Sequence, residues 1–145
     1  METKGKHIKN ELVPNKSVGI FLLGEPISNY LNKKYSIDNY EVLNDKYDSY
    51  IFHEDSLNVD VRKGLICSIT CEESCYWQGR NLIRMNFKKF LETYGLQYDG
   101  KDEIVLEIGK GYQTHKVYDF DELGLQIWVW RNLIRTVIVS NYQDE

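Results

Sequence analysis

The sequence is poor in the residues that metal sites and nucleophilic catalysis require. Its 145 residues include three cysteines and three histidines, and no histidine lies close to a cysteine along the chain. Cys67, Cys71 and Cys75 are odd in number and do not form the CxxC pairs of a zinc site. We therefore predict no metal site and no cofactor, and we interpret the cysteines as small buried or half-buried thiols.

Long apolar runs and an excess of positive charge are also missing. No apolar run approaches the ~20 residues that a membrane helix needs, and no apolar stretch of the kind found in secretory signals follows residues 1–6. The net charge is −4, and acidic residues are dense in 38–55 and 99–122. Nucleic-acid binding requires basic residues that neutralise phosphates, so we predict no nucleic-acid partner. From the missing apolar runs we predict a cytoplasmic protein that does not bind membranes.

Two glycines near the start have the spacing of a phosphate-binding loop, but the residues after them do not fit. Glu25 and Pro26 follow Gly24 where that motif has Lys and Ser/Thr. A carboxylate at this position would repel a phosphate, and the required cation is missing. We interpret residues 20–23 instead as a buried strand that leads into a helix at Pro26, since proline suits the first turn of a helix.

The chain contains an internal repeat, which is the main guide to its fold. Residues 50–71 align without a gap with residues 118–139, an offset of 68. The identical pairs are Tyr50/Tyr118, Phe52/Phe120, Glu54/Glu122, Leu57/Leu125, Val61/Val129, Leu65/Leu133 and Ile66/Ile134.

Each copy is predicted to begin with a helix of about eight to ten residues, because apolar residues recur at positions i, i+3 and i+4. Pro26 suits the first turn of the first helix. In the second, Asn86 suits the N-cap and Gly95 the position after the last turn. The apolar positions are Ile27, Tyr30 and Leu31 in the first copy, and Phe87, Phe90 and Leu91 in the second.

Each helix should be followed by an extended connection or strand and then by three strands. The links are too short for crossovers, so the strands should pair antiparallel. The upstream offset is 60, and we assign the eight additional residues to an extra hairpin, 103–109 with 112–118. The predicted strands are 47–53, 57–62 and 65–71 in the first copy, and 116–121, 125–130 and 133–140 in the second.

These elements predict an α+β fold built from a pseudo-symmetric duplicated unit, with two helices on one face of a curved antiparallel sheet. We predict a single domain over residues 1–145. Residues 1–15 should form a partly flexible N-terminus. Copy one then spans about 16–71, a linker spans 72–81, and copy two spans about 82–141.

Candidate binding residues lie where the second copy departs from the first. Trp128 and Trp130 share one strand face, whereas their counterparts Asp60 and Arg62 are charged. Exposed tryptophan beside arginine is typical of interface hot spots; alternatively, the extra hairpin covers these tryptophans. The acidic candidates for binding a basic partner are Asp119, Asp121 and Glu122.

The opening of the chain resembles a known bacterial motif. Residues 14–24, PNKSVGIFLLG, resemble the "PGK-x-hGxhxLG" opening of small bacterial proteins, and residues 57–69 and 124–134 resemble their recurring strand pairs. Several such proteins are similar to immunity proteins of contact-dependent growth inhibition and other polymorphic toxin systems. Asn15 stands where the family often has glycine, and none of the matched motifs names a toxin.

The resemblance implies a protein with no reaction of its own, which binds a cognate toxin domain in the cytosol and blocks it directly. Toxin domains of this kind are commonly basic nucleases, and the acidic bias of the chain suits a basic partner. The first alternative is a small-molecule or peptide-binding domain that uses the curved sheet as a pocket. An enzyme that uses the cysteines and histidines is the second alternative.

Overall fold

A computed structural model describes residues 9–141. The predicted flexible N-terminus therefore lies mostly outside the described residues. Two 3-10 turns, Ile27–Tyr30 and Asp121–Leu123, and one α-helix, α1 (Phe87–Tyr94), accompany thirteen strands. The strands are β1 (Leu12–Val13), β2 (Ser17–Val18), β3 (Phe21–Leu22), β4 (Ser36–Val42), β5 (Asp45–Phe52), β6 (Leu57–Arg62), β7 (Leu65–Cys71), β8 (Tyr76–Trp77), β9 (Arg80–Asn81), β10 (Gly100–Ile108), β11 (Gly111–Phe120), β12 (Leu125–Trp130) and β13 (Leu133–Ser140).

Eight of these strands form one antiparallel sheet in the order β10-β11-β12-β13-β7-β6-β5-β4. We call β4–β7 the first half of this sheet and β10–β13 the second half. The halves meet where β7 pairs antiparallel with β13. Moving outward from that pair, the strands of each half follow in the same sequence order, so an approximate two-fold axis relates the halves.

The strand register repeats as well as the strand order. Phe52 pairs with Leu57 in the first half, and Phe120 pairs with Leu125 at an offset of 68. Each half also contains a β-bulge, after Asp60 in the first and after Trp128 in the second. Bulges set the local twist and direct side chains, so a bulge at matching positions means that both halves curve in a similar way.

The predicted α+β fold with two helices is wrong, because the structure is mostly β with one α-helix. The predicted second helix is confirmed: the Asn86 side chain accepts a hydrogen bond from the Lys89 N–H at 3.0 Å, and Gly95 ends α1 in a left-handed conformation. The predicted first helix is only a four-residue 3-10 turn. Pro26 offers no side-chain cap, and the Ser and Asn within this turn are weak helix formers.

The prediction of an extra hairpin in the second copy is also wrong, because β4 and β5 form the corresponding hairpin in the first half. The eight additional residues are distributed over three elements. α1 has eight residues where the 3-10 turn has four. β10 has nine residues against seven in β4, and β11 has ten against eight in β5. The predicted bounds of β6, β7, β12 and β13 are confirmed.

One face of the large sheet packs against the core, and we call it the covered face. Strand alternation puts Leu125, Ile127 and Val129 on this face, all of them buried. Helix α1 contributes Phe87 and Phe90 to the same core. The predicted strand 20–23 shortens to β3, which belongs to a small separate sheet with β1 and β2.

The opposite, open face carries Gln126, Trp128 and Trp130 from β12, all of them partly exposed. It is the covered face that anchors the fold, since each fully buried aliphatic side chain contributes roughly 1.5–3 kcal/mol. In residues 9–141, neither α1 nor the 3-10 turns has the length and apolarity of a membrane-spanning helix.

Candidate functional site

The two predicted tryptophans line a pocket of about 450 Å³ on the open face of the second half. Trp128 lies opposite Val117 on β11 and Thr136 on β13. The His115 ring is 6.3 Å from the Trp128 ring in an edge-on arrangement and 6.2 Å from the Trp130 ring in a stacked one. We call this the open-face pocket. Its other lining residues include Leu106, Ile108, Gln113, Arg135 and Ile138.

The structure brings one predicted acidic residue close to the tryptophans. Gln126 donates a hydrogen bond to Asp119 Oδ1 at 2.9 Å and accepts one from Trp128 Nε1 at 2.8 Å. Asp119 and Trp128 are therefore held on the same face through one amide. Because both bonds fix the amide, the Trp128 indole is oriented before any partner binds.

The other two predicted acidic residues lie apart from the tryptophans. Asp121 and Glu122 are exposed in the 3-10 turn between β11 and β12. The Asp121 N–H donates to Asp99 Oδ2 at 2.7 Å, and the Asn15 side chain donates to the Glu122 carbonyl at 2.6 Å. This turn precedes β12, whereas Trp130 ends it, so Asp121 and Glu122 lie at the opposite end of the strand from Trp130.

The surroundings of Trp130 are cationic, because the structure adds Arg135 to the Arg131 that follows Trp130 in the sequence. The guanidinium carbons of Arg131 and Arg135 lie 4.5 Å and 4.9 Å from the centre of the Trp130 ring. Such cation–π contacts contribute about 0.5–1 kcal/mol at exposed sites. Trp128 is therefore linked to an acidic side chain, Asp119, through Gln126, whereas Trp130 lies beside two cations.

Arg135 is half-buried and forms no ion pair or side-chain hydrogen bond with another residue in 9–141. Its Nε atom is buried without an acceptor. Sequence reasoning did not single out Arg135. The repeat could have identified it, because the counterpart of this charged residue in the first copy is Cys67, a small uncharged side chain.

His115 is also buried, with only 6% of its surface exposed. Its Nε2 atom hydrogen-bonds to Gln113 Oε1 at 3.1 Å, whereas Nδ1 is buried without a partner. Burial lowers the pKa of His115, and the charge of Arg135 lowers it further. Both effects favour the neutral imidazole over the charged one beside the Arg135 cation.

The corresponding place in the first half satisfies its own charges. Arg62 donates to both carboxylate oxygens of Asp45, at 2.9 Å and 2.7 Å, and lies over the Tyr47 ring at 5.1 Å. Its Nη1 atom also contacts the Cys67 sulfur at 3.2 Å. These four residues form the first-half cluster. At an offset of 68 their counterparts are Trp130, Gln113, His115 and Arg135.

The described part of the chain shows no pairing of cysteine with histidine. Cys71 and Cys75 are buried, and the hydrogen bond between their thiols, together with burial, raises the pKa of Cys71. Cys67 Sγ donates to the Asp60 carbonyl at 3.2 Å, and burial raises the pKa of this thiol. Within residues 9–141, no group of three or more His, Cys, Asp or Glu side chains could hold a metal ion.

In comparisons with known proteins, no family model, no curated protein and no solved structure matches the chain. The resemblance to immunity proteins thus stays a hypothesis that rests on the motifs in residues 14–24, 57–69 and 124–134.

Proposed function

We propose that the chain is a non-catalytic protein of the immunity type, which binds a cognate toxin domain in the cytoplasm and blocks it by direct contact. The observation that carries this proposal is the open face of the second half, where Trp128 and Trp130 lie partly exposed beside Arg131 and Arg135. Tryptophan and arginine are enriched among the few residues that supply most binding energy in protein interfaces.

The acidic turn supplies the second element of the proposal. Asp121 and Glu122 are exposed at one end of β12, and Asp99 lies against the same turn. Charges at the rim of an interface mainly increase the rate of encounter with a partner of opposite charge. A basic toxin domain, such as a nuclease, would be attracted by this turn while its contact surface meets the open-face pocket.

The direct experiment measures binding to the toxin domain encoded beside this chain by isothermal titration calorimetry. Wild type should form a stable complex that abolishes the toxin's activity. Trp128→Ala and Trp130→Ala should each weaken binding by about 2 kcal/mol or more, the threshold of an interface hot spot. Asp60→Ala and Arg62→Ala are matched controls at the same positions of the first half and should change binding by less than ~0.5 kcal/mol. Failure of wild type to bind would overturn the proposal.

The role of the acidic turn is tested by kinetics. Asp121→Lys combined with Glu122→Lys should slow association, and the effect should shrink as salt is added, because salt screens exposed charges. Glu122→Lys alone is compared with Glu54→Lys at its counterpart, because both single substitutions change the net charge equally; only Glu122→Lys should slow association. Equal association rates for the double variant and wild type at low salt would remove the turn from the proposal.

The size of the open-face pocket favours one alternative function, a small-molecule or peptide-binding domain. A volume of about 450 Å³ lies within the ~300–1,000 Å³ range of ligand sites, and both aromatic and polar groups line it. Saturable quenching of tryptophan fluorescence by a small ligand or peptide, together with no toxin complex, would favour this alternative.

A further inference from the structure

The second half lacks the carboxylate that the first half provides to its arginine. In the first-half cluster Asp45 binds Arg62 through two hydrogen bonds. The counterpart of Asp45 is Gln113, which is uncharged and bonds to His115 instead. The second half nevertheless retains a guanidinium stacked on an aromatic ring, because Arg135 packs on Trp130.

Arg135 has the features of an arginine without its anion. Its side chain is half-buried, and its Nε donor is buried with no acceptor among residues 9–141. A buried donor without a partner destabilises the protein, so an acceptor that reaches it is stabilised by forming the missing hydrogen bond. Glu72 also lines the pocket, but it is exposed and forms no ion pair with Arg135.

The pocket around Arg135 offers both an apolar wall and a second unsatisfied polar atom. Trp130 and Ile138 line it on the sheet, and Leu106 lines it from the edge strand β10. The buried Nδ1 atom of His115 has no hydrogen-bond partner. A short side chain that ends in a carboxylate fits this combination, because arginine binds carboxylates through two parallel hydrogen bonds.

We propose that the open-face pocket receives the carboxylate of an aspartate or glutamate side chain of the protein partner, which pairs with Arg135 as Asp45 pairs with Arg62. This inference rests on the proposed function, since it names the chemistry of that partner at one place. The inference also differs from simple charge attraction, because a partner that is basic as a whole would contact Arg135 through one of its acidic residues.

Three variants test the proposal in the complex with the toxin domain. Arg135→Gln should weaken binding at least about tenfold, and Arg135→Lys should recover part of the loss, because lysine keeps the charge but not the two-pronged geometry. Arg62→Gln is the matched control in the first half and should leave the affinity unchanged. An affinity for Arg135→Gln equal to that of wild type would overturn the proposal.

A fourth variant distinguishes the proposal from general electrostatic attraction, because the two predict opposite changes in binding affinity. Gln113→Glu keeps the side-chain shape and supplies a carboxylate within the chain, as the first half does. It should weaken binding at least about tenfold, because the internal carboxylate occupies Arg135. If general attraction to a basic partner governed the site, the added negative charge would instead strengthen binding. Stronger or unchanged binding would contradict the proposal.

A peptide probe tests the pocket without the toxin, so that failure of the inference and failure of the proposed function can be told apart. The tripeptide Ac-Gly-Glu-Gly-NH2 should shift the NMR signals of the Trp130 indole N–H and the Arg135 Nε–H in a saturable way. The uncharged Ac-Gly-Gln-Gly-NH2 should shift them far less, and Arg135→Gln should abolish the difference. Equal shifts from both peptides would overturn the inference, whereas a stable toxin complex in the same preparation would leave the proposed function standing.

Discussion

The two halves of the sheet have the same strand order and register but opposite characters on the open face. In the first half Arg62 is bound by Asp45, and Ser68 donates to Asp60, so these charges are satisfied internally. In the second half Trp128 and Trp130 replace Asp60 and Arg62 and form a pocket around His115 and Arg135. The covered face shows no such divergence, since Val59 and its counterpart Ile127 are both fully buried.

The difference shows which constraints act on each surface of a duplicated fold. A buried position must be filled with an apolar group of about the right volume, so both copies keep similar residues there. An open face has no such requirement and can carry a charge pair in one copy and an aromatic pocket in the other. A surface that departs from its own copy is therefore the better candidate for binding.

The largest difference in stability between the halves should appear at Gly124 and Ser56, which occupy equivalent turns. Both have positive φ angles, +64° and +56°. A Cβ at Gly124 would overlap the Ser140 carbonyl oxygen, so Gly124→Ala should lower the free energy of unfolding by about 3 kcal/mol or more. Ser56→Gly should change it by less than ~1 kcal/mol, because relief of left-handed strain offsets the lost hydrogen bond to Glu73. Urea unfolding followed by circular dichroism measures both; similar losses for the two variants would contradict the steric overlap expected at Gly124.

The next largest difference in stability lies between α1 and the 3-10 turn Ile27–Tyr30, which stands where the first helix was predicted. Asn86→Ala should cost about 1 kcal/mol, because it removes the side-chain cap of α1. Asn29→Ala, in the exposed and uncapped 3-10 turn, should change stability by less than ~0.5 kcal/mol. The same urea experiment checks both variants. A larger effect at Asn29 than at Asn86 would contradict this difference.

The open-face pocket and the first-half cluster should differ in how their contribution to stability depends on pH. The pKa of His115 is lowered on folding, so the unfolded chain takes up a proton more readily. The stability that neutral His115 contributes is fully present above about pH 6.5, the ordinary pKa of histidine. It is lost as the pH falls through the lowered pKa of His115 in the folded protein. Tyr47, the counterpart in the first half, does not titrate in this range. Unfolding at pH 7.5 and 5.5 should show a smaller loss for His115→Gln than for wild type, and equal losses would exclude this contribution.

The smallest effect concerns the first-half cluster. The hydrogen bond from Arg62 lowers the pKa of Asp45 below its ordinary value of 3.8. In NMR titrations, Arg62→Gln should return this pKa toward 3.8, and Arg135→Gln should leave it unchanged. The stability involved is small because the pair is exposed to water. A pKa of Asp45 that does not respond to Arg62→Gln would remove the cluster as the explanation for the closed first half.

The sequence predicted the repeated strands well because alternating residues such as Leu57, Val59 and Val61 face one core. It predicted the first of the two helices wrongly because the apolar spacing of Ile27 and Tyr30 is satisfied equally by a single 3-10 turn. The repeat directed interest to Trp128 and Trp130, which the structure places beside one pocket. It did not reveal that Arg135 contacts Trp130, since Arg135 approaches from the next strand and its distance depends on register and on the bulge.

Mapping of the bound surface by NMR tests most directly whether the second half alone forms the binding face. Backbone and indole N–H signals are compared for the free protein and for its complex with the toxin domain. We predict large shifts at Trp128, Trp130 and Arg135, and little change at the equivalent positions Asp60, Arg62 and Cys67. Shifts of similar size in both halves, or shifts confined to the first half, would contradict the division of the sheet into a closed half and a binding half.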